Sequence, residues 1–138
     1  MNKYVGIWLD HREAFVISLV KDQPFADENQ EMIERIESNI ELLVRLSGRS
    51  RTRKTPYGPQ EISVDRLQLR EYFKEILLRI SDADRILIFG PGEAKIELKK
   101  EIEKSKNFAG KIKKIESADK MTIKQIAAKV KTFFKPYL

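Results

Sequence analysis

Hydrophobic and polar positions change their rhythm along the chain. Tyr4 to Leu9 is apolar except for Gly6, and Ala14 to Val20 is apolar except for Ser18. The polar tetrad Asp10-His11-Arg12-Glu13 separates the two runs, which predicts a β-hairpin. After the polar stretch "KDQPFADENQ", Met32 to Ser38 carries a weaker strand pattern and reads as the third strand of the same meander. The following "SNIELLVRL" supports two readings. Ser38 and Glu41 have capping-box spacing, whereas Leu42, Val44 and Leu46 alternate as in a strand.

From Ser63 the period becomes helical. Val64, Leu67, Phe73, Ile76, Leu77 and Ile80 share a face, with Ser63 placed to cap and Asp65 favourable in the first turn. "RILIFG", Arg85 to Gly90, reads as a buried strand running through Gly-Pro-Gly into a helix from Glu93 to about Lys104, whose narrow apolar stripe is Ala94, Leu98 and Ile102. Lys111 to Glu116 alternates as a strand with one wet face. Thr122 and Gln125 form a capping box ahead of Ile123, Ile126, Ala127, Val130, Phe133 and Phe134, with Met121 placed to staple against that apolar face.

Three strands followed by helix, strand, helix, strand and helix make an α/β domain. Strands alternating with helices require parallel pairing with right-handed crossovers, so the expected sheet is mixed. A chain of 138 residues is read as one domain, 1–138, with a basic loop at about 45–62 that is long for a compact fold.

Charge sharpens this picture. The chain carries a formal +6 at neutral pH and 35% charged residues, and surplus Lys and Arg attract polyanions. Nucleic acid is the leading partner class. No acid lies between Glu41 and Glu61, so Arg45, Arg49, Arg51, Arg53 and Lys54 act without internal neutralisation. Arginine donates bidentately to phosphate, and Tyr57 is suited to stack on an unpaired base. The absence of cysteine removes disulfides and thiolate chemistry. The opening apolar run is broken by Asp10, His11 and Arg12, so neither a signal peptide nor a membrane span is expected, and the expected compartment is cytoplasmic.

Two further groups are chemically suggestive. The backbone of Gly90 and Gly92, with Lys95, suits an anion at a helix start, although a plain strand-to-helix turn with Glu93 on the helix dipole accounts for the same residues. Asp10, with Glu93 or Asp119 at the ends of later elements as partners, supplies carboxylates of the kind that hold two metal ions in a nuclease; a charged hairpin turn explains Asp10 equally well. No cofactor and no metal ligand set is assigned.

The element order is similar to the ribonuclease H-like fold, and three stretches narrow the resemblance. "GIWLDHREAFVISL" resembles the first hairpin of the middle domain of eukaryotic and archaeal peptide-release factors and of Pelota. "ILIFGPGEAKIEL" resembles the strand, turn and lysine-bearing helix of that domain. "GRSRTRKTPYGPQEISVDRLQLREYF" lies where those proteins carry a basic loop and an Arg-rich helix, here with Arg66 and Arg70. The combination is also similar to bacterial proteins related to that domain, including those called host-attachment proteins.

The resemblance implies a three-layer domain and a partner in translation: the ribosome, through rRNA or tRNA. Release factors carry Gly-Gly-Gln at the loop tip, and here the position reads Gly58-Pro59-Gln60. Proline fixes φ and lacks an N–H, unlike the glycine it replaces. Binding is therefore the expected function, with release-like hydrolysis through Gln60, nuclease action through Asp10, or a protein-interaction module as alternatives. Oligomeric state is not specified by any of these features.

Overall fold

The computed structural model describes residues 3–20, 31–38, 58–108 and 110–137, with side chains from residue 66 onward in the segment that begins at 58. The N-terminal hairpin is present as β1 (Lys3–Leu9) and β2 (Glu13–Val20), paired antiparallel from Lys3 opposite Val20 to Leu9 opposite Ala14. β3 (Met32–Glu37) adds antiparallel to β2. Helix α1 (Gly58–Arg79) leads to β4 (Arg85–Gly90), α2 (Ala94–Glu103), β5 (Ile112–Ser117) and α3 (Ile123–Phe134). β4 pairs parallel to β1, and β5 parallel to β4. The sheet order is β3-β2-β1-β4-β5, the mixed ribonuclease H-like arrangement that the element order implies.

Strand alternation sorts the side chains into two cores. Val5, Ile7, Leu9, Val16, Ile86 and Ile88 face α1 and α2, meeting Tyr72, Phe73, Ile76, Ile80, Leu98 and Ile102. Tyr4, Trp8, Phe15, Ile17, Leu87 and Phe89 face α3, meeting Ile126, Ala127, Val130 and Phe134. The central strands are apolar on both faces because both faces are covered. Each fully buried large side chain contributes on the order of 1.5–3 kcal/mol.

Gly6 interrupts β1 for a steric reason. A Cβ built there would lie 2.2 Å from one Val130 methyl carbon and 2.8 Å from the other. The missing side chain lets α3 sit directly on the central strand. The helix is aimed by its start: the Thr122 Oγ1 accepts the Gln125 N–H at 3.1 Å, and Gln125 Oε1 accepts the Thr122 N–H at 2.9 Å. Met121 packs beside that core, as a staple does.

Three expectations are corrected for α1. It begins at Gly58, not at Ser63, so Ser63 is an interior helical residue and residues 58–62 belong to the helix rather than to the basic loop. Pro59 is compatible with this because a helix's first N–H groups have no intrahelical acceptor. Leu67 is 58% exposed, since the buried stripe runs through Tyr72, Phe73, Ile76 and Ile80, with Leu69 and Leu77 at its margins. Both readings of "SNIELLVRL" rest on residues after Ser38, which lie outside the described residues.

Candidate nucleic-acid interface

The C-terminal ends of β1, β4 and β5 share one end of the sheet, where Asp10, the Gly90-Pro91-Gly92 turn and Asp119 emerge. Asp10 is occupied with closing the hairpin. Its Oδ1 accepts the backbone N–H groups of Arg12 at 2.7 Å and Glu13 at 2.9 Å, while its own N–H donates to the Glu13 carbonyl. The Tyr72 hydroxyl donates to the Asp10 carbonyl at 2.9 Å. Burial, reinforced by the Asp10 and Glu13 carboxylates, pushes the Tyr72 phenol far above its ordinary value, so it remains a neutral donor. His11 Nε2 lies 2.9 Å from Glu97 Oε1, tying the hairpin to α2.

Asp119 contributes its backbone carbonyl to the Trp8 indole N–H at 3.2 Å. Among the described residues no group of three or more His, Asp or Glu side chains is placed to hold a metal ion. The Asp10 carboxylate caps the hairpin turn.

The glycine turn is likewise built for packing. Gly90 has φ +150°, and a Cβ there would lie 2.1 Å from the Leu9 carbonyl oxygen. Lys95 is 8% exposed, and its Nζ donates back to the Gly92 carbonyl at 2.5 Å. Glu93 caps α2 from an αR conformation without a side-chain hydrogen bond. The three candidate anion residues come together, but the lysine closes its own turn.

What remains open to a partner is α1. The Gln68 amide donates to the Ser38 carbonyl, which ties this part of α1 to the end of β3. From there α1 continues ten residues toward Gly58, about 15 Å at helical rise. Arg66 and Arg70 are exposed, as is Lys74, and the three follow i, i+4, i+8 spacing along one face. No ion pair ties any of them to a described residue. Lys74 and the anchoring Tyr72 were not singled out from sequence; the i+4 spacing from Arg70 is the signal that identifies Lys74. Arg45, Arg49, Arg51, Arg53, Lys54 and Tyr57 lie outside the described residues. Gly58, Pro59 and Gln60 are described by their backbone alone, which is the first turn of α1 rather than a loop tip.

No protein-family model matches the chain, and no curated protein matches it. Among solved structures, the crystal structure of the Thermoplasma acidophilum Pelota protein matches with a TM-score of 0.55 and 15% identity, over 97% of this chain and 32% of that one. The crystal structure of an archaeal translation termination factor matches with a TM-score of 0.44 and 12% identity, over 99% of this chain and 40% of that one. The likeness to Pelota establishes the fold, and the resemblance carried by the three sequence stretches holds at that level. The chain spans about a third of the Pelota chain that it matches.

Proposed function

We propose that this domain is a translation-associated RNA-binding module that engages rRNA or tRNA on the ribosome through the basic segment at 45–57 and the cationic face of α1. The observation that carries the reading is the helix itself. It is anchored by Tyr72 and Gln68 at the sheet end and runs on past them, with Arg66, Arg70 and Lys74 exposed on one side. A stiff strut of this kind limits the entropy lost when the attached basic segment docks. The fold shared with Pelota supports a ribosomal setting.

In this reading the arginines supply affinity through phosphate oxygens, and Tyr57 stacks on an unpaired base. Binding must therefore be steeply salt-dependent, each phosphate contact adding roughly 0.7–0.9 to the log–log slope. The test is co-sedimentation with ribosomes at low and moderate salt, comparing wild type with the variant carrying Arg49→Ala, Arg51→Ala, Arg53→Ala and Lys54→Ala. Wild type following the particles while the folded variant stays at the top of the gradient supports the reading. Wild type that fails to sediment, or an association unchanged by salt, overturns it. Capture that survives nuclease treatment would redirect the search to a protein partner.

A further inference from the structure

The opposite end of the sheet holds a second cationic feature, which does not depend on the reading above. Tyr4 and Arg85 are direct partners in the parallel ladder of β1 and β4. The next strand is bulged: Ile86 pairs with Ile112 but Leu87 pairs with Lys114, which leaves Lys113 as the extra residue. The bulge places Lys113 beside Tyr4 and Arg85, and these three line a cleft of about 230 Å³ together with Asp84. Three adjacent strands, about 5 Å apart, thus bring a tyrosine, an arginine and a lysine to the lining of one depression.

The Arg85 guanidinium lies 4.4 Å from the centroid of the Tyr137 ring, a face contact that positions its plane, and Lys113 is exposed. Neither Arg85 nor Lys113 forms an ion pair among the described residues. Tyr4 is buried and its hydroxyl donates to the Tyr137 carbonyl at 3.4 Å, so it forms the wall of the cleft rather than one of its donors. Asp84 turns Oδ2 to the Lys3 backbone N–H at 2.7 Å, and two cations outweigh its single charge.

We infer that the Tyr4–Arg85–Lys113 cleft is a binding site for a phosphoryl group, with the arginine fork on two oxygens and Lys113 on another. A polar cleft with no deep apolar floor selects its ligand by charge and oxygen geometry. The phosphoryl group can belong to an RNA backbone or to a free nucleotide, and the experiment separates them.

The full chain is titrated with inorganic phosphate, with a nucleoside monophosphate and with a short oligouridylate, following the Arg85 Nε–Hε resonance by NMR and oligonucleotide binding by fluorescence anisotropy across salt. Variants are Lys113→Gln, the double Arg85→Gln/Lys113→Gln, and the charge-matched control Lys120→Gln/Lys124→Gln, whose lysines are exposed beyond the other end of β5. Phosphate is expected to shift the Arg85 resonance in wild type and in the control, and to shift it less in folded Lys113→Gln. If RNA is the source, the double variant lowers the log–log salt slope by about 1.4 relative to wild type while the control leaves it unchanged. If a nucleotide is the source, the monophosphate shifts Arg85 and the slope stays as in wild type.

An Arg85 resonance that ignores all three probes overturns the site. So does an equal fall in slope for the double variant and the control, which would reveal only diffuse charge. The four-alanine variant of the basic segment keeps the Arg85 response, so failure of one reading is distinguishable from failure of the other.

Discussion

Replacing Gly6 with alanine tests the contact on which the α3 layer rests. The added carbon meets Val130 methyls at 2.2 and 2.8 Å, and Val130 is fully buried, so relieving the overlap requires the packed helix or strand to move. β1 is held on both sides by β2 and β4 and does not shift alone. Overpacking of this kind costs about 1–3 kcal/mol, and the depth of the overlap places Gly6→Ala at the upper end. For a chain of this length each kcal/mol lowers Tm by roughly 3–4 °C, so a loss of about 10 °C is expected.

Val130→Ala alone removes two buried methyl groups and costs about 2 kcal/mol. The double variant places the new methyl in the space those groups leave, with the Val130 Cβ at 3.0 Å still in tight contact. It should be no less stable than Val130→Ala, giving a favourable coupling of about 2–3 kcal/mol in the cycle. Urea unfolding of the four proteins measures this directly. Strict additivity, or a Gly6→Ala protein as stable as wild type, would show that α3 does not lie on β1 as described.

Tyr72→Phe removes a buried donor and leaves the Asp10 carbonyl unpaired; a loss of about 1–2 kcal/mol in urea unfolding is expected, and no loss would mean that the hydroxyl is idle. Glu116 is held below its ordinary value near 4.5 by hydrogen bonds from Lys114 and Lys129. A carboxylate with a lowered folded-state value stabilises at pH above its unfolded value, and that contribution fades as pH falls through the folded one. Glu116→Gln should therefore be less stable than wild type at pH 7, with the gap closing below about pH 4; a gap independent of pH would remove the two lysines as the cause.

Local chemistry was legible where the determining contacts span a few residues. The capping box of Thr122 and Gln125, the two apolar runs around "DHRE" and the Gly-Pro-Gly break after "RILIFG" each act within one turn of chain, so residue order alone predicts them. The α1 start was misplaced because Ser63 offers a good local cap, whereas the helix continues back through Pro59, whose missing N–H costs little in a first turn. Leu67 was misassigned because helical period says which residues share a face but not where the sheet beneath them ends.

The candidate sites divide in the same way. Sequence alone determined the charge surplus, the element order and the Arg66–Arg70 spacing, all of which are read along the chain. Only the tertiary structure decided that the Asp10 carboxylate closes its own turn, that Lys95 bends back to Gly92, and that Tyr4, Arg85 and Lys113 meet across three strands. The first two are local contacts whose residue types fit more than one role, so residue order leaves the choice open until the side chains are placed; the third depends on strand order, which pairs Tyr4 with Arg85 about eighty positions away, and on one bulge in β5, beyond the reach of any local pattern.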